Sequence, residues 1–293
     1  MMKRTIATIA RTSVAALLGF VLTTTGLRAQ GLSYDVSTSG SDGTSSTGGA
    51  PEQMVMTAHG QFSGSNARID VTKGATAGGF MSAGTYMISN SAKGTSISVN
   101  PAKRQYTVIN LAALGKSTDQ MQASMSGVAK EAITDVKVAV EDLGVGEPIA
   151  GYATHKYRLT ESSTMSMKAM GMSTATKSSS ITDVWVAPAL DGSLDPISHP
   201  DGGVPTGMTA EQTTQLNAAY AKIGKGLWLK SVYTTTDDDS QDQGATVVTT
   251  VISNVKKGAI SPSVFVVPAG YKEVSYMNAL QANMPADEHG SPE

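Results

Sequence analysis

The sequence predicts an α+β domain that is mainly antiparallel, with about eleven strands and two amphipathic helices. Short segments in which apolar and polar residues alternate recur along most of the chain, and turn residues separate them. Helical periodicity is confined to two places. Residues 30–275 are enough for one β-rich domain with a sizeable core, so a second domain is not required.

Six strands are predicted in the first half of this domain. The first alternates around Leu32, Tyr34 and Val36. Glycine and asparagine at residues 63–66 suit a hairpin turn, and Gly94 and Pro101 mark two further turns. The pattern predicts strands at residues 31–37, 53–62, 67–72, 85–89, 95–99 and 105–111.

Five more strands are predicted in the second half, at residues 134–140, 153–160, 181–188, 227–233 and 245–252. The last of these is β-branched almost throughout, which favours an extended backbone. A closing strand is expected to end at Pro268, because proline cannot donate to a ladder. Gly270 then supplies a turn that lets Tyr271 fold back on the sheet.

Two helices interrupt the strands. Ser117 with Gln120 forms a capping pattern, as does Thr209 with Gln212. Gly224 stands where a helix C-terminus favours glycine. The first helix carries an apolar stripe of Met121, Met125 and Val128, and the second one of Leu216, Ala219, Tyr220 and Ile223.

Three segments are predicted to lie outside the regular elements. Residues 40–51 are rich in serine, threonine and glycine, which is typical of a flexible loop. Residues 189–208 contain several prolines and turn residues and are predicted to be a surface insertion. Residues 276–293 form a polar C-terminal tail.

The N-terminus has the pattern of a secretory signal peptide. Lys3, Arg4 and Arg11 precede a short apolar stretch, and residues 27–29 form a small-residue cleavage site. Cleavage there leaves Gln30 as the first mature residue. The apolar stretch is too short for a stable membrane span, so a soluble periplasmic or secreted protein is expected.

Composition excludes several classes of function. The chain has no cysteine, which rules out disulfides, thiolate metal sites and cysteine nucleophiles. Its 22 basic and 24 acidic residues nearly cancel, and the basic ones are scattered. Nucleic acid is therefore not expected as a partner, because it calls for a clustered basic face.

The sequence predicts a protein that is not an enzyme and carries no cofactor. It has four histidines, but no G-x-S-x-G serine turn accompanies them. Phosphate-binding, dinucleotide-binding and zinc-helix motifs are also absent from the sequence. A hydrolase with a site that no motif marks stays an alternative.

Two side-chain clusters suggest metals, and each has a simpler interpretation. Asp237, Asp239 and Asp242 alternate as calcium ligands do, but they lie between two strands and favour a solvated hairpin turn. Met165 and Met167 share one face of a strand, and thioethers bind Cu(I). Methionine is dispersed along the chain, which favours an adaptable core or cavity lining over a Met-rich copper protein.

Several motifs resemble a known family. They are W-V-x-P at residues 185–188, G-x-x-x-x-x-Y at 151–157, S-N-V at 253–255 and P-S-x-F-x-x-P-x-G-Y at 262–271. Together they resemble a domain family of unknown function (DUF4412) and, more distantly, the lipoprotein-carrier (LolA/LolB-like) half-barrels. The resemblance covers chiefly the last third of the chain.

The resemblance implies a strongly curved half-barrel whose helices lie on the concave face. It also implies binding of a lipid, an acyl chain or a lipoprotein tail on that face. The expected cavity-lining residues are Met121, Met125, Val128, Met165, Met167, Trp185, Tyr220 and Trp228. The alternative is a structural or protein-interaction module of the cell envelope, with a core filled by its own side chains and an envelope protein as partner.

Overall fold

The computed structural model of the protein describes residues 30–41, 53–74, 82–110, 129–169, 172–192, 210–237 and 245–275. Within these ranges the chain forms twelve strands and one α-helix. The strands are β1 (Gln30–Ser41), β2 (Gln53–Ser63), β3 (Asn66–Lys73), β4 (Tyr86–Asn90), β5 (Thr95–Asn100), β6 (Gln105–Asn110), β7 (Ala129–Val145), β8 (His155–Ala169), β9 (Met172–Asp191), β10 (Gly226–Asp237), β11 (Thr246–Ala259) and β12 (Lys272–Glu273). The helix is α1 (Ala210–Ile223), and short 3-10 helices lie at Ser91–Lys93 and Pro262–Phe265.

All twelve of these strands belong to one open, curved sheet in the order β12-β6-β5-β4-β3-β2-β1-β11-β10-β9-β8-β7. The strands β2 to β6 form one meander and β7 to β11 form another. β1 lies between β2 and β11 and joins the two meanders. Every pairing is antiparallel except that of β12 with β6.

The register of the strands defines two faces, because residues directly opposite each other share a face. On the inner face, Val36 lies opposite both Ala58 and Ile252. These positions belong to the main core, which is deeply buried around β1, β2, β3, β10 and β11. It includes Tyr34, Val36, Ala58, Phe62, Ala67, Ile69, Val71, Leu229 and Ile252.

Helix α1 lies on the same inner face, against the other end of the sheet. It contacts β7, and the side chain of Gln212 donates to the backbone oxygen of Ile133 at 3.2 Å. Its C-terminal half meets β9 and β10 in a second apolar cluster. The buried members of this cluster are Val184, Val186, Ile223 and Trp228.

The C-terminal segment, residues 260–275, packs on the outer face of the sheet, and its strand β12 pairs with β6 at the edge. Its Tyr271 packs in a third apolar cluster whose buried members are Tyr86, Ile88 and Val99. Arg68 fixes the segment from β3, since its Nη1 donates to the oxygen of Val264 at 3.0 Å. We call this segment the C-terminal strap.

The mainly antiparallel sheet is confirmed, and within the described residues it has twelve strands where about eleven were expected. The helix predicted to end before Gly224 is also confirmed, and Gly224 has a φ of +83°. The other predicted helix, with Met121, Met125 and Val128, lies outside the described residues.

Two other expectations differ from the structure. The strand expected before Pro268 is wrong, because Pro262–Phe265 forms a 3-10 helix with proline at its start. The predicted turn at Gly270 is confirmed by a φ of +82°. The strand expected at residues 181–188 is part of β9, which is twenty residues long. The prediction was too short because the first half of β9, rich in serine and threonine, lacks the alternation of apolar and polar residues that indicates a strand.

Only parts of the predicted irregular segments are described. Residues 40 and 41 belong to β1, and residues 189–191 belong to β9. The signal peptide and the residues after 275 lie outside the described ranges. None of the described helices combines the length and the apolar character that a bilayer span needs.

Candidate functional site

A cavity of about 450 Å³ opens on the inner face beside the C-terminal end of α1. We call it the α1 pocket. It is bounded by the starts of β8 and β10, by the end of β9 and by the last turn of the helix. Its lining residues are His155, Tyr157, Val186, Pro188, Ala189, Leu190, Asp191, Ile223, Gly224, Lys225 and Gly226.

Glycines shape this end of the sheet. A Cβ atom on Gly226 would lie 2.5 Å from Cγ1 of Val186, and one on Gly192 would lie 2.6 Å from the Cα of Leu227. The backbones of β9 and β10 therefore approach more closely than any larger residue allows. The amide of Gly192 donates to the oxygen of Lys225 at 2.8 Å, which fixes the crossing next to the pocket.

The deeper side of the α1 pocket is apolar. Val186 and Ile223 belong both to the lining and to the buried cluster between helix and sheet. Behind them the rings of Tyr220 and Trp228 have centroids 6.3 Å apart with an interplanar angle of 32°. Helix and sheet thus pack together in an apolar cluster that borders the cavity.

The rim of the α1 pocket is polar. Nε2 of His155 donates to Oδ1 of Asp142 at 2.5 Å, and the amide of Gly144 donates to the same oxygen at 2.8 Å. The hydrogen bond from His155, followed by that from Gly144, lowers the pKa of Asp142. The ring of His155 also lies 4.8 Å from that of Tyr157, so the imidazole is held at a defined orientation.

The arrangement places an oriented imidazole beside an apolar wall. A His–Asp pair can orient an imidazole as a base, but acyl transfer also needs a nucleophile within hydrogen-bond reach. None of the described residues that line the cavity is a serine, threonine or cysteine. The polar rim can hold a ligand's polar group while the deeper surface contacts its apolar part.

Glu161 is a second titratable group on the inner face. It lies opposite Val138 and Ser180, in the row next to Leu159. Burial raises the pKa of its carboxyl group, and the hydroxyl of Ser180, which donates at 3.4 Å, offsets part of this effect. A partly desolvated carboxyl group therefore adjoins the apolar row under α1.

Among the predicted cavity residues whose side chains the structure describes, it brings together Tyr220 and Trp228. Met165 is on the inner-face row of β8, but it lies toward the hairpin end of the strand and is 45% exposed. The side chain of Met167 is not described. Met121, Met125 and Val128 lie outside the described residues, as stated above.

Trp185 is placed differently from the prediction, on the outer face of the sheet. It is 9% exposed, and the ammonium groups of Lys156 and Lys230 each lie 4.5 Å from its ring centroid. Asp183 and Glu147 hold these two lysines, with N···O distances of 2.9 and 2.7 Å. Trp185 is thus enclosed by cation–π contacts and does not line the α1 pocket.

The described residues offer no metal centre. Asp237 ends β10 and its side chain is not described, while Asp239 and Asp242 lie outside the described ranges. No group of three histidine or acidic side chains in the described part of the chain is arranged to hold a metal ion.

A second His–Asp pair lies on the outer face. Nδ1 of His59 is 2.7 Å from Oδ1 of Asp35, and the side-chain amide of Asn254 donates to Oδ2 of Asp35 at 2.8 Å. The hydrogen bond from Asn254, followed by that from His59, lowers the pKa of Asp35. Asn254 has a φ of +52° and lies where the register of β1 and β11 shifts, so this group marks a bulge in the sheet.

Sequence patterns identified neither the pair of Asp142 and His155 nor the half-buried Glu161. Each is a polar residue in a strand, and its environment depends on the register with the neighbouring strand. The one local signal was the G-x-x-x-x-x-Y segment, which contains His155 and ends at Tyr157. That segment supplies two lining residues of the pocket.

The chain was compared with protein-family models and with curated proteins. No protein-family model matches the chain, and no curated protein matches it. The α1 pocket and the inner face of the sheet are therefore the features from which a function can be inferred.

Proposed function

We propose that the protein binds an apolar moiety, such as a lipid, an acyl chain or a lipoprotein tail, between α1 and the inner face of the sheet. The observation that carries this proposal is the α1 pocket, a cavity that borders the apolar cluster between helix and sheet. The bound molecule is carried rather than transformed. We also propose that the open, curved sheet is a half-barrel similar to those of the lipoprotein carriers.

Size and chemistry support this function. About 450 Å³ falls within the ordinary range of small-molecule sites, which is roughly 300–1,000 Å³. Val186, Leu190 and Ile223 offer apolar contacts, whereas His155 and Lys225 stand at the polar side. An amphiphile with an apolar chain and one polar end matches this division.

The main core supports a structural role for the rest of the sheet. Tyr34 is 1% exposed, and Leu229 and Ile252 are fully buried. Side chains of the protein itself fill that region, as the structural-module alternative requires. The ligand is therefore expected at the α1 end of the inner face, and the filled half serves as its rigid support.

The proposed site of action is outside the cytoplasm, in the periplasm or the medium. The signal-peptide pattern at residues 1–29 supports this location. Intact-mass analysis of protein exported from a Gram-negative host tests it, with a mature chain that begins at Gln30 as the expected result. A membrane-bound product that retains residues 1–29 would contradict the export proposal.

A cavity-filling substitution tests ligand binding. Ala189 lines the α1 pocket, so Ala189→Phe is expected to fill it without removing any apolar contact. Ala139→Phe is the matched control, because Ala139 is exposed on the outer face of β7. The readout is the melting temperature in the presence of a long-chain fatty acid. If the acid binds the folded state, it adds RT ln(1 + [L]/Kd) to the free energy of unfolding and so raises the melting temperature.

The expected result is a rise in melting temperature for the wild type and for Ala139→Phe, and none for Ala189→Phe. Native mass spectrometry after gentle purification is expected to show a lipid bound to the wild type. A melting temperature that no fatty acid or lipopeptide changes, together with no bound lipid, would favour the structural module.

A further inference from the structure

A second cavity lies at the other end of β7, β8 and β9, away from the α1 pocket. It has a volume of about 360 Å³ and is lined almost entirely by hydroxyl groups and two lysines. We call it the hydroxyl trough. The residues on which its chemistry depends are Asp135, Lys137, Ser162, Thr164, Lys177 and Ser179.

The register brings two lysines to opposite sides of a central strand. Lys137 on β7 lies opposite Ser162 on β8, which in turn lies opposite Ser179 on β9. Lys177 on β9 lies opposite Thr164 on β8. These five residues belong to adjacent rows of the outer face, so both ammonium groups can reach over the hydroxyl groups between them.

The two lysines of the trough lack the ion pairs that lysine and arginine form elsewhere on this face. Closer to Trp185, Asp183 pairs with both Lys156 and Arg158, with N···O distances of 2.9 and 2.7 Å. In contrast, neither Lys137 nor Lys177 forms a salt bridge with any described residue. Two cations therefore face a surface of neutral hydroxyl groups and a single carboxylate, that of Asp135.

The one carboxylate among the described lining residues of the trough is that of Asp135. Asp135 has a φ of +53° and stands where β7 shifts register against β8. Its Oδ2 accepts a hydrogen bond from the hydroxyl of Thr134 at 3.3 Å. The bulge thus displaces Asp135 from the regular row that contains Lys137 and Ser162.

We propose that the hydroxyl trough binds a phosphate group. A phosphate presents several acceptor oxygens and close to two negative charges at neutral pH. Lysine ammonium groups and serine and threonine hydroxyl groups all donate, so the trough can surround such an anion with donors from three strands. Lysine acts as a point charge on a flexible stem, which suits an open trough better than the fixed fork of arginine.

The proposal is independent of ligand binding at the α1 pocket, because the two sites have no lining residue in common. The phosphate could be free in solution or could belong to the head group of a lipid. Both sources present the same chemistry to Lys137 and Lys177. The test therefore uses two probes, inorganic phosphate and vesicles.

The first probe is inorganic phosphate, titrated at constant ionic strength with chloride as the balancing anion. Amide resonances of residues 162–164 and 177–179 are expected to shift and saturate. Replacing both lysines, Lys137→Ala with Lys177→Ala, is expected to weaken binding by at least about tenfold, since each charge-assisted donor is stronger than a neutral one. The matched control is Lys93→Ala with Lys103→Ala, two exposed lysines on turns near β5.

The second probe is a set of phosphatidylcholine vesicles with and without phosphatidic acid, followed by co-sedimentation. The proposal is supported if either probe binds the wild type and the control pair alike, and if replacing Lys137 and Lys177 weakens that binding by at least about tenfold. Binding only to phosphatidic-acid vesicles assigns the phosphate to a lipid head group. The proposal is overturned if neither probe binds, or if both double variants bind as the wild type does.

Discussion

Trp185 on β9 and Trp228 on the neighbouring β10 lie on opposite faces of the sheet. Trp228 pairs with Val186, whereas Trp185 pairs with Lys230, and the register shifts between Trp228 and Lys230. This irregularity gives β10 one extra residue, Leu229, which joins the main core. Trp228 thus faces α1, and Trp185 faces the two lysines of the outer surface.

This placement predicts that one tryptophan reports ligand binding and the other does not. The chain has only two tryptophans, so Trp185→Phe leaves Trp228 as the sole indole. A long-chain fatty acid is expected to change the emission of Trp185→Phe, because Trp228 lies behind the α1 pocket. The Trp228→Phe variant, which keeps Trp185, is expected to show no change.

The melting temperature provides the control for this experiment. Trp228→Phe should still be stabilised by the fatty acid, which separates loss of the signal from loss of binding. A ligand-dependent change of emission in Trp228→Phe but not in Trp185→Phe would place the ligand on the outer face. That result would contradict the proposed site.

Local sequence patterns were sufficient to predict the features that depend on the conformation of a few neighbouring residues. The capping pattern and apolar stripe predicted α1, and the glycine preference for positive φ predicted the ends at Gly224 and Gly270. Alternation of apolar and polar residues located eleven strands of the sheet. These features depend on a few neighbouring residues of the chain.

Features that depend on pairing between distant residues could not be predicted in this way. The extra residue in β10 decides which tryptophan faces α1, and no local signal at Leu229 announces it. The pairing of β7 with β8 likewise decides that Asp142 meets His155. The cavity beside α1 is lined by residues of three strands and of the helix end that are far apart in the sequence, and a strand pattern does not show that they meet.

Arg68 is expected to stabilise the fold through three partners at once. Its guanidinium group binds both oxygens of Asp70, donates to the oxygen of Val264 and lies 3.7 Å from the ring centroid of Tyr86. Arg68→Lys keeps the charge but loses the planar fork, so the free energy of unfolding should fall by about 1–2 kcal/mol. Urea denaturation measures this loss.

The matched control is Arg104→Lys, at an exposed turn position before β6. It should change the free energy of unfolding by less than about 0.5 kcal/mol, as is usual for surface substitutions. Equal effects of the two substitutions would mean that the contacts of Arg68 contribute no more than an exposed charge does.

Tyr271 is expected to hold the C-terminal strap on the outer face. It is half-buried against Tyr86 and Val99, so Tyr271→Ala should reduce the free energy of unfolding by about 1–3 kcal/mol. The amides of Lys272 and Val274 donate to the oxygens of Arg104 and Tyr106, each at 2.9 Å. Hydrogen exchange at these two amides should accelerate more than exchange in β1.

Uniform acceleration across the sheet would instead mean that the strap and the sheet unfold as one unit. An unchanged denaturation midpoint with unchanged exchange would show that Tyr271 contributes no stability. Tyr271→Phe is the matched control, because it keeps the ring and should retain most of the stability.

Glu161 is expected to make the free energy of unfolding depend on pH. Burial raises the pKa of its carboxyl group above the value in the unfolded chain, which is about 4.5. The folded state therefore binds a proton more readily than the unfolded state between these two pKa values. In that window, the contribution of Glu161 to the free energy of unfolding falls as the pH rises.

Removing the charge should reverse this effect. Glu161→Gln is expected to be more stable than the wild type at pH 7, and the difference should vanish near pH 3.5, where Glu161 is protonated in both states. Urea denaturation at both pH values measures the difference. Glu141→Gln is the control, because Glu141 is exposed on the outer face and should give no gain at pH 7. A loss of stability in Glu161→Gln at pH 7 would show that the charged carboxylate has a stabilising partner on the inner face.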